Sequence, residues 1–290
     1  MKDACERVAG LAFWSAAIEI EPLEGGITNR NFVVRQRQER YVVRIGDDIP
    51  LHGVMRFNEL AAARAAHLAG LSPEILHHEP GALVMRFVEG RALAPQDLRA
   101  RRMLERVLPL LKRVHGEMIK YLRGPVLAFW VFHVLRDYAH TLAAAGSAYA
   151  GRLPRLMAIA EALERAVGPV ELVFAHNDLL APNFIDAGER LWLVDWDYAG
   201  FNAVLFDLAN LASNAGLAAA DELWLLEAYD GRPADAAQRR RYAAMKCASL
   251  LREAMWSMVS EIHSSIAFDY AAYTAGNLRH FERAYAAFEG

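Results

Sequence analysis

The sequence predicts an α+β fold in two lobes, a small β-rich N-terminal lobe over residues 1–88 and a larger helical lobe over residues 89–290. Three observations predict it. β-Type apolar runs crowd into the first 90 residues; Ala/Leu/Arg-rich helical segments dominate after Gly90; and one β-hairpin interrupts those helices between Leu172 and Gly200.

Taken in order, the first 50 residues read as strands and turns, broken at Gly25 and Gly26. Residues 31–37 and 41–45 are β-rich runs around the polar turn 38–40, which makes a hairpin. Residues 57–68 are rich in Ala and Leu and read as a helix, stopped by Gly70, Ser72 and Pro73. Residues 83–88 read as a strand, and residues 85–90 as a hinge between the lobes. In the hairpin between Leu172 and Gly200, residues 183–185 and 191–195 are the strands and Asp186-Ala187-Gly188-Glu189 the turn. Helices resume near Phe206 and run to the end.

Composition narrows the class. The chain has 290 residues, 54% of them hydrophobic, and a net charge of −3. That supplies a proper core and gives no electrostatic reason to expect nucleic acid. Cys5 and Cys247 form no CxxC or metal-ligand spacing, and two thiols in so long a chain suit a reducing compartment. No signal-peptide pattern and no apolar run long enough for a membrane span is found. The expectation is a soluble cytoplasmic protein; the sequence leaves a homodimer open.

The chemistry concentrates in His176-Asn177-Asp178-Leu179-Leu180-Ala181-Pro182-Asn183, followed by Leu193-Val194-Asp195-Trp196-Asp197-Tyr198. Phosphoryl transfer from ATP needs a carboxylate for the acceptor's hydroxyl proton, oxygen ligands for Mg²⁺, and a cation on the phosphates. Asp followed five residues later by Asn is the spacing of a kinase catalytic loop, with Asp178 as base and Asn183 as metal ligand. The hairpin returns the chain so that Asp195, at a strand end, points at the same Mg²⁺. His176 reads as a buried histidine tying the loop together, because Asp178 already fills the base role. A Walker A loop is absent, which disfavours a P-loop NTPase.

With HNDLLAPN, VDWDYAGFN and FDLAN on the page, the stretch from His176 to Asn214 resembles the choline/ethanolamine kinase family, within the wider aminoglycoside-phosphotransferase-like group. The resemblance implies a protein-kinase-like fold with its active site in the cleft between lobes, ATP and Mg²⁺ as cofactors, and Asp207 as a structural anchor of the catalytic loop. Gly25-Gly26-Ile27-Thr28-Asn29 resembles the family's small-lobe loop over the ATP phosphates, which makes Gly26, Thr28 and Asn29 expected nucleotide contacts. Arg44 stands where the family carries its phosphate-binding cation, with Glu59 as its expected ion-pair partner. Residues 85–88, Arg86 and Val88 among them, would meet adenine through the backbone.

The stretch 255–273 resembles choline kinases in sequence and spacing. Aromatic faces attract a quaternary ammonium, so Trp256, Phe268 and Tyr273 are expected to cage the acceptor's cationic head. Glu253 stands where many members of the family carry a second tryptophan. If it faces the pocket it adds a negative charge that suits a primary ammonium, which places ethanolamine beside choline. An aminoglycoside, a sugar or thiamine is the alternative acceptor, and an aminoglycoside pocket should be lined by carboxylates instead. A non-catalytic pseudokinase or amine-binding module would lack one of Asp178, Asn183, Asp195 and Arg44, and all four are present.

Overall fold

The computed structural model describes residues 2–23, 29–264, 266 and 268–290. Gly26 and Thr28, both expected at the phosphate loop, lie outside the described residues.

The chain opens with a helix, α1 (Lys2–Ala9), where strands and turns were expected. Eight residues are too few for a helical period to stand out, and tertiary packing decides the matter. Ala4, Val8 and Leu11 are buried against the sheet that follows. That sheet has strands β1 (Glu19–Leu23), β2 (Arg30–Gln36), β3 (Glu39–Ile45), β4 (Ile75–Glu79) and β5 (Ala82–Arg86), all antiparallel, in the order β1-β2-β3-β5-β4. Register pairs Phe32 with Val43 and Val34 with Tyr41, so the centre of one face of β2 and β3 is apolar and meets α1. Phe13 and Trp14 pack edge-on against Tyr41 at ring distances of 5.2 and 5.6 Å. Side chains alternate across a strand, so Arg44, between Val43 and Ile45, leaves that face, and α2 (Arg56–Leu68) supplies its partner.

The remainder is mostly helical. Strand β6 (Arg91–Ala92), the short α3 (Pro95–Leu98) and helices α4 (Arg101–Glu117), α5 (Val131–Ala144) and α6 (Leu153–Val167) lead to β7 (Leu172–Ala175). The expected hairpin is β8 (Phe184–Asp186) with β9 (Leu191–Leu193), and β6 joins it as a third strand. Gly90 lies where the chain enters that sheet. A Cβ there would come within 2.8 Å of the Asp186 carbonyl oxygen, so no larger residue fits without displacing backbone. Strand β10 (Gly200–Ala203) pairs with β7, and α7 (Val204–Ala215), α8 (Ala219–Asp230), α9 (Ala236–His263) and α10 (Tyr270–Glu289) complete the chain.

The 28-residue α9 is the axis of the helical part and packs against α5, α6, α7 and α10. Its start is capped by Asp235, which accepts from the Gln238 N–H at 2.8 Å. Asp269 does the same for α10 through Ala272 N–H at 2.9 Å, which fixes Tyr270 and Tyr273 on the first turn of that helix. No helix among the described residues is long and apolar enough to cross a membrane.

Candidate active site

The loop after β7 is held from behind by α7. Asp207 is fully buried and accepts from the backbone N–H groups of His176 (2.9 Å) and Asn177 (2.8 Å), with His115 Nε2 at 2.9 Å from the same carboxylate. One helical turn on, Asn210 accepts from the Leu179 N–H at 2.7 Å. Residues three apart share a helix face, so a single face of α7 fixes the loop on both sides of Asp178. Burial alone would raise the Asp207 carboxyl, but the bonds from His115 and the loop leave it below its usual value. Asp207→Ala strands these buried donors and is expected to lower stability by at least about 3 kcal/mol, read from the shift in the urea-unfolding midpoint.

Asn177 takes a left-handed conformation (φ 65°) and ties the loop to Tyr198 and Gly200 through its side-chain amide at 3.0 and 3.2 Å. His176 is buried, with Nε2 3.0 Å from the Val194 carbonyl and its ring 4.7 Å from Trp196. It is the structural tie the sequence suggested, and burial holds its imidazole below the ordinary value.

These supports bring the three expected phosphotransfer residues into one neighbourhood. Asn183 ends a tight turn at 181–183 and donates from its amide to the Asp178 carbonyl at 2.9 Å, which leaves its Oδ1 to face elsewhere. Val194 N–H donates to the Asn183 carbonyl at 2.9 Å, so Asp195 is held beside Asn183 across the hairpin. Asp195 is left-handed (φ 66°), a costly conformation for a residue with a Cβ. Its Oδ1 is buried with no hydrogen-bond partner among the described residues. Burial first, and then the Asp197 charge, push its carboxyl well above the carboxylate range. Asp178 is raised to about 7, chiefly by burial; Arg252, whose Nη1 is 4.0 Å away, opposes the rise and Glu253 adds to it.

The expected Arg44–Glu59 ion pair is present and sits inside a larger network. Arg44 Nη1 donates to Asp197 Oδ1 at 2.6 Å, and Arg56 Nη1 donates to the same oxygen at 2.7 Å and to Glu59 Oε2 at 2.9 Å. Asn29 donates to Asp197 Oδ2 at 2.7 Å and accepts from Arg56 Nη2 at 2.8 Å. Two arginines balance two carboxylates here, so Asp195 is left without a counter-charge of its own. An orphaned buried carboxylate oxygen on Asp195 and the side-chain oxygen of Asn183 across the hairpin are donor types that fit Mg²⁺, which takes few protein ligands and keeps water in its shell. Among the described residues no three His, Cys, Asp or Glu side chains form a metal cage.

The expected hinge is only partly free to meet a base. The Arg86 N–H donates to the Glu74 carbonyl at 2.9 Å, and its side chain pairs with the Glu74 carboxylate at 2.8 Å, so Arg86 is committed within the sheet. Val88, half-buried beyond the strand end, has no such commitment among the described backbone bonds.

On the other side of Asp178 the expected aromatic residues meet. Trp256 is buried on α9, with Tyr273 edge-on at 6.5 Å and Tyr270 at 6.1 Å, and Phe268 packs edge-on against Tyr273 at 5.6 Å. Trp256 Nε1 donates to the Tyr198 hydroxyl at 2.8 Å. Glu253 does face this group, since Tyr273 donates to its Oε1 at 2.7 Å, but Arg252 Nη1 donates to its Oε2 at 2.9 Å. Arg252, which also lies 4.0 Å from Asp178, offsets part of the negative charge that Glu253 brings to this group.

Protein-family comparison decides the class, for the choline/ethanolamine kinase model matches residues 20–224. The chain belongs to the choline/ethanolamine kinase family. It is 28% identical to protein LicA of Haemophilus influenzae over 259 residues, covering 85% of this chain and 75% of that one. It is 26% identical to ethanolamine kinase 2 of Mus musculus, covering 88% and 73%. A solved choline/ethanolamine kinase family protein from Mesorhizobium loti superposes over the whole chain and 95% of its own length, with a TM-score of 0.76 and 29% identity. The fold is thus the protein-kinase-like one, and the chain is a kinase that phosphorylates an alcohol.

Four further residues of this kinase's site were not assigned from sequence. Asp197, two residues after Asp195, joins both arginines; Arg56 opens α2; Arg252 is fully buried over the Tyr198 ring at 4.4 Å; and His52 packs on Trp256 at 5.1 Å. Asp197 lay within the quoted motif, and its spacing from Asp195 was a usable signal. Arg252 and His52 carried none.

Proposed function

We propose that this kinase transfers the γ-phosphate of ATP to the hydroxyl of a small cationic amino alcohol, with choline the first choice and ethanolamine the second. The observation that carries it is the continuous path from base to aromatic group. Arg252 Nη1 lies 4.0 Å from Asp178 and 2.9 Å from Glu253, which in turn holds Tyr273 of the Trp256–Tyr273–Phe268 set. A cationic head on the rings places a hydroxyl two carbons away toward Asp178. Each Glu253 oxygen already accepts a bond, which favours an ammonium that asks for no hydrogen bonds. The aromatic rather than carboxylate-rich lining argues against an aminoglycoside.

Residues 1–88 serve as the ATP-binding lobe and 89–290 as the lobe carrying base and acceptor pocket. Arg44, kept charged and oriented by Glu59 and Asp197, faces the nucleotide phosphates together with Asn29, while the Val88 backbone meets adenine. Asp195 and Asn183 would hold Mg²⁺, which would neutralise negative charge on the phosphate oxygens. Asp178 orients the acceptor hydroxyl and takes its proton as the new O–P bond forms, and the chemistry is otherwise positioning in a site shielded from water. The unpaired thiols Cys5 and Cys247 suit a cytoplasmic enzyme.

ADP release from Mg²⁺-ATP with choline, ethanolamine, thiamine, a sugar and an aminoglycoside tests this reading. Choline or ethanolamine alone should stimulate turnover; stimulation only by one of the others would sink it. Trp256→Leu keeps an apolar side chain but removes the π face. It should raise the acceptor KM about tenfold or more while the ATP KM stays within about twofold.

A further inference from the structure

His52 lies on the loop between β3 and α2, distant in sequence from the acceptor residues, yet it is buried among them. Its Nδ1 is 3.1 Å from the Tyr138 hydroxyl of α5 and its Nε2 3.2 Å from the Ser260 hydroxyl of α9. Both hydroxyls are buried, and each can donate or accept, so a neutral imidazole satisfies both. The ring lies against the Trp256 indole at 5.1 Å and a 32° tilt, while Tyr198 holds the indole Nε1. Burial pushes the His52 imidazole down to about 3, with Arg252 and His263 acting in the same direction. At working pH it therefore presents an uncharged face.

His52 also divides two cavities. One of about 250 Å³ is lined by the Trp256 and Tyr270 rings and by Asp47 and Asp48, of which Asp47 is paired with Arg7 at 3.2 Å while Asp48, among the described residues, accepts only the Arg56 backbone N–H. The second, of about 200 Å³, lies toward Tyr138, Tyr198 and Phe129. His52 and Leu51 line both, so the imidazole is part of the wall between them. Aromatic faces with the carboxylate of Asp48 nearby, which has no ion-pair partner among the described residues, suit an organic cation, and a fixed wall behind the cation limits its size.

We propose that the ammonium head of the acceptor, held on the Trp256 face, reaches into the 250 Å³ cavity and that His52 is a specificity-determining residue, whose anchored ring closes the back of that cavity and limits the N-alkyl groups the site takes. The proposal rests on the amino-alcohol reading above and adds to it the residue that measures the head. Removing the ring joins the two cavities, so the effect is on choice of acceptor rather than on chemistry at Asp178.

The experiment compares kcat/KM for choline and for its triethylammonium analogue in the unaltered enzyme, His52→Ala and His52→Asn. The unaltered enzyme should prefer choline. In His52→Ala that preference should shrink about tenfold, the scale that a few methylenes carry in an apolar pocket, with the ATP KM unchanged. His52→Asn, which can keep one of the two hydroxyl bonds but has no ring, should move the same way and covers the case in which the alanine variant fails to fold. A structural role alone would lower both substrates equally, so an unchanged ratio in a folded, active variant overturns the assignment. Absence of turnover on any amino alcohol by the unaltered enzyme would overturn the underlying reading together with it, and the two failures are told apart by the unaltered protein.

Discussion

Asp178→Asn is expected to lower kcat by about 10²- to 10⁴-fold, the range of a lost general base, while the ATP KM changes little. Asparagine keeps the size of the side chain and its place in a loop fixed by Asp207 and Asn210. It loses only the capacity to take a proton. Stability separates this outcome from simple damage. Burial raises the Asp178 carboxyl to about 7, so the folded state holds its proton above the pH where the unfolded chain has released it. Ionising it in the folded protein therefore costs stability progressively as pH rises from about 4 toward 7. The asparagine variant escapes that cost and should melt no lower than the parent at pH 8. The same direction governs rate: a protonated Asp178 cannot accept a proton, so kcat of the parent should fall as pH drops below 7. A folded variant with near-normal kcat would remove Asp178 from the role of base.

Sequence made the catalytic neighbourhood legible because its parts are local. Asp178, Asn183 and Asp195 lie within 18 residues, on a loop and hairpin whose turn is written in Asp-Ala-Gly-Glu, and the structure brings them together where that pattern implied. The hairpin of β2 and β3 and the helix carrying Glu59 were legible for the same reason: two β-rich runs around a polar turn and a long Ala/Leu run are local signals. What could not be read was set by distance along the chain. Arg56 and Asp197 are 141 residues apart and share one hydrogen bond, and His52 meets Ser260 across 208 residues. Neither contact leaves a trace in local pattern. Helix α1 escaped because only three side chains of the N-terminal segment carry its burial. Glu253 was visible as a departure, but its pairing in the site depended on the adjacent Arg252, which on a helix points elsewhere unless packing turns the two together. Arg86 shows the opposite case, where a plausible nucleotide contact is already bound to Glu74 in the sheet.

The charge balance of the cleft leads to the second large effect. Arg44 and Arg56 are matched by Glu59 and Asp197, and Arg252 is shared between Glu253 and Asp178. Asp195 alone keeps a buried carboxylate oxygen with no partner among the described residues, in a left-handed conformation that a protein keeps only where the surroundings hold it. Without a cation this arrangement destabilises the fold, since burial and the Asp197 charge both disfavour the ionised form. Asp195→Asn is the informative replacement, because asparagine tolerates the left-handed backbone where alanine would strain it. The variant should unfold at the same temperature as the metal-free parent or higher. Its kcat/KM should fall by at least the ten- to hundredfold typical of a lost outer-shell partner, and by roughly more for a group that touches the metal itself. Thermal unfolding with ADP, with and without Mg²⁺, reads the ligand role directly. Mg²⁺ should raise the melting temperature of the nucleotide-bound parent and leave the variant almost unmoved, because only binding to the folded state shifts that equilibrium. An equal Mg²⁺-dependent rise in both proteins would place the metal on other oxygens, and Asp195 would then be a structural carboxylate whose missing partner needs another explanation.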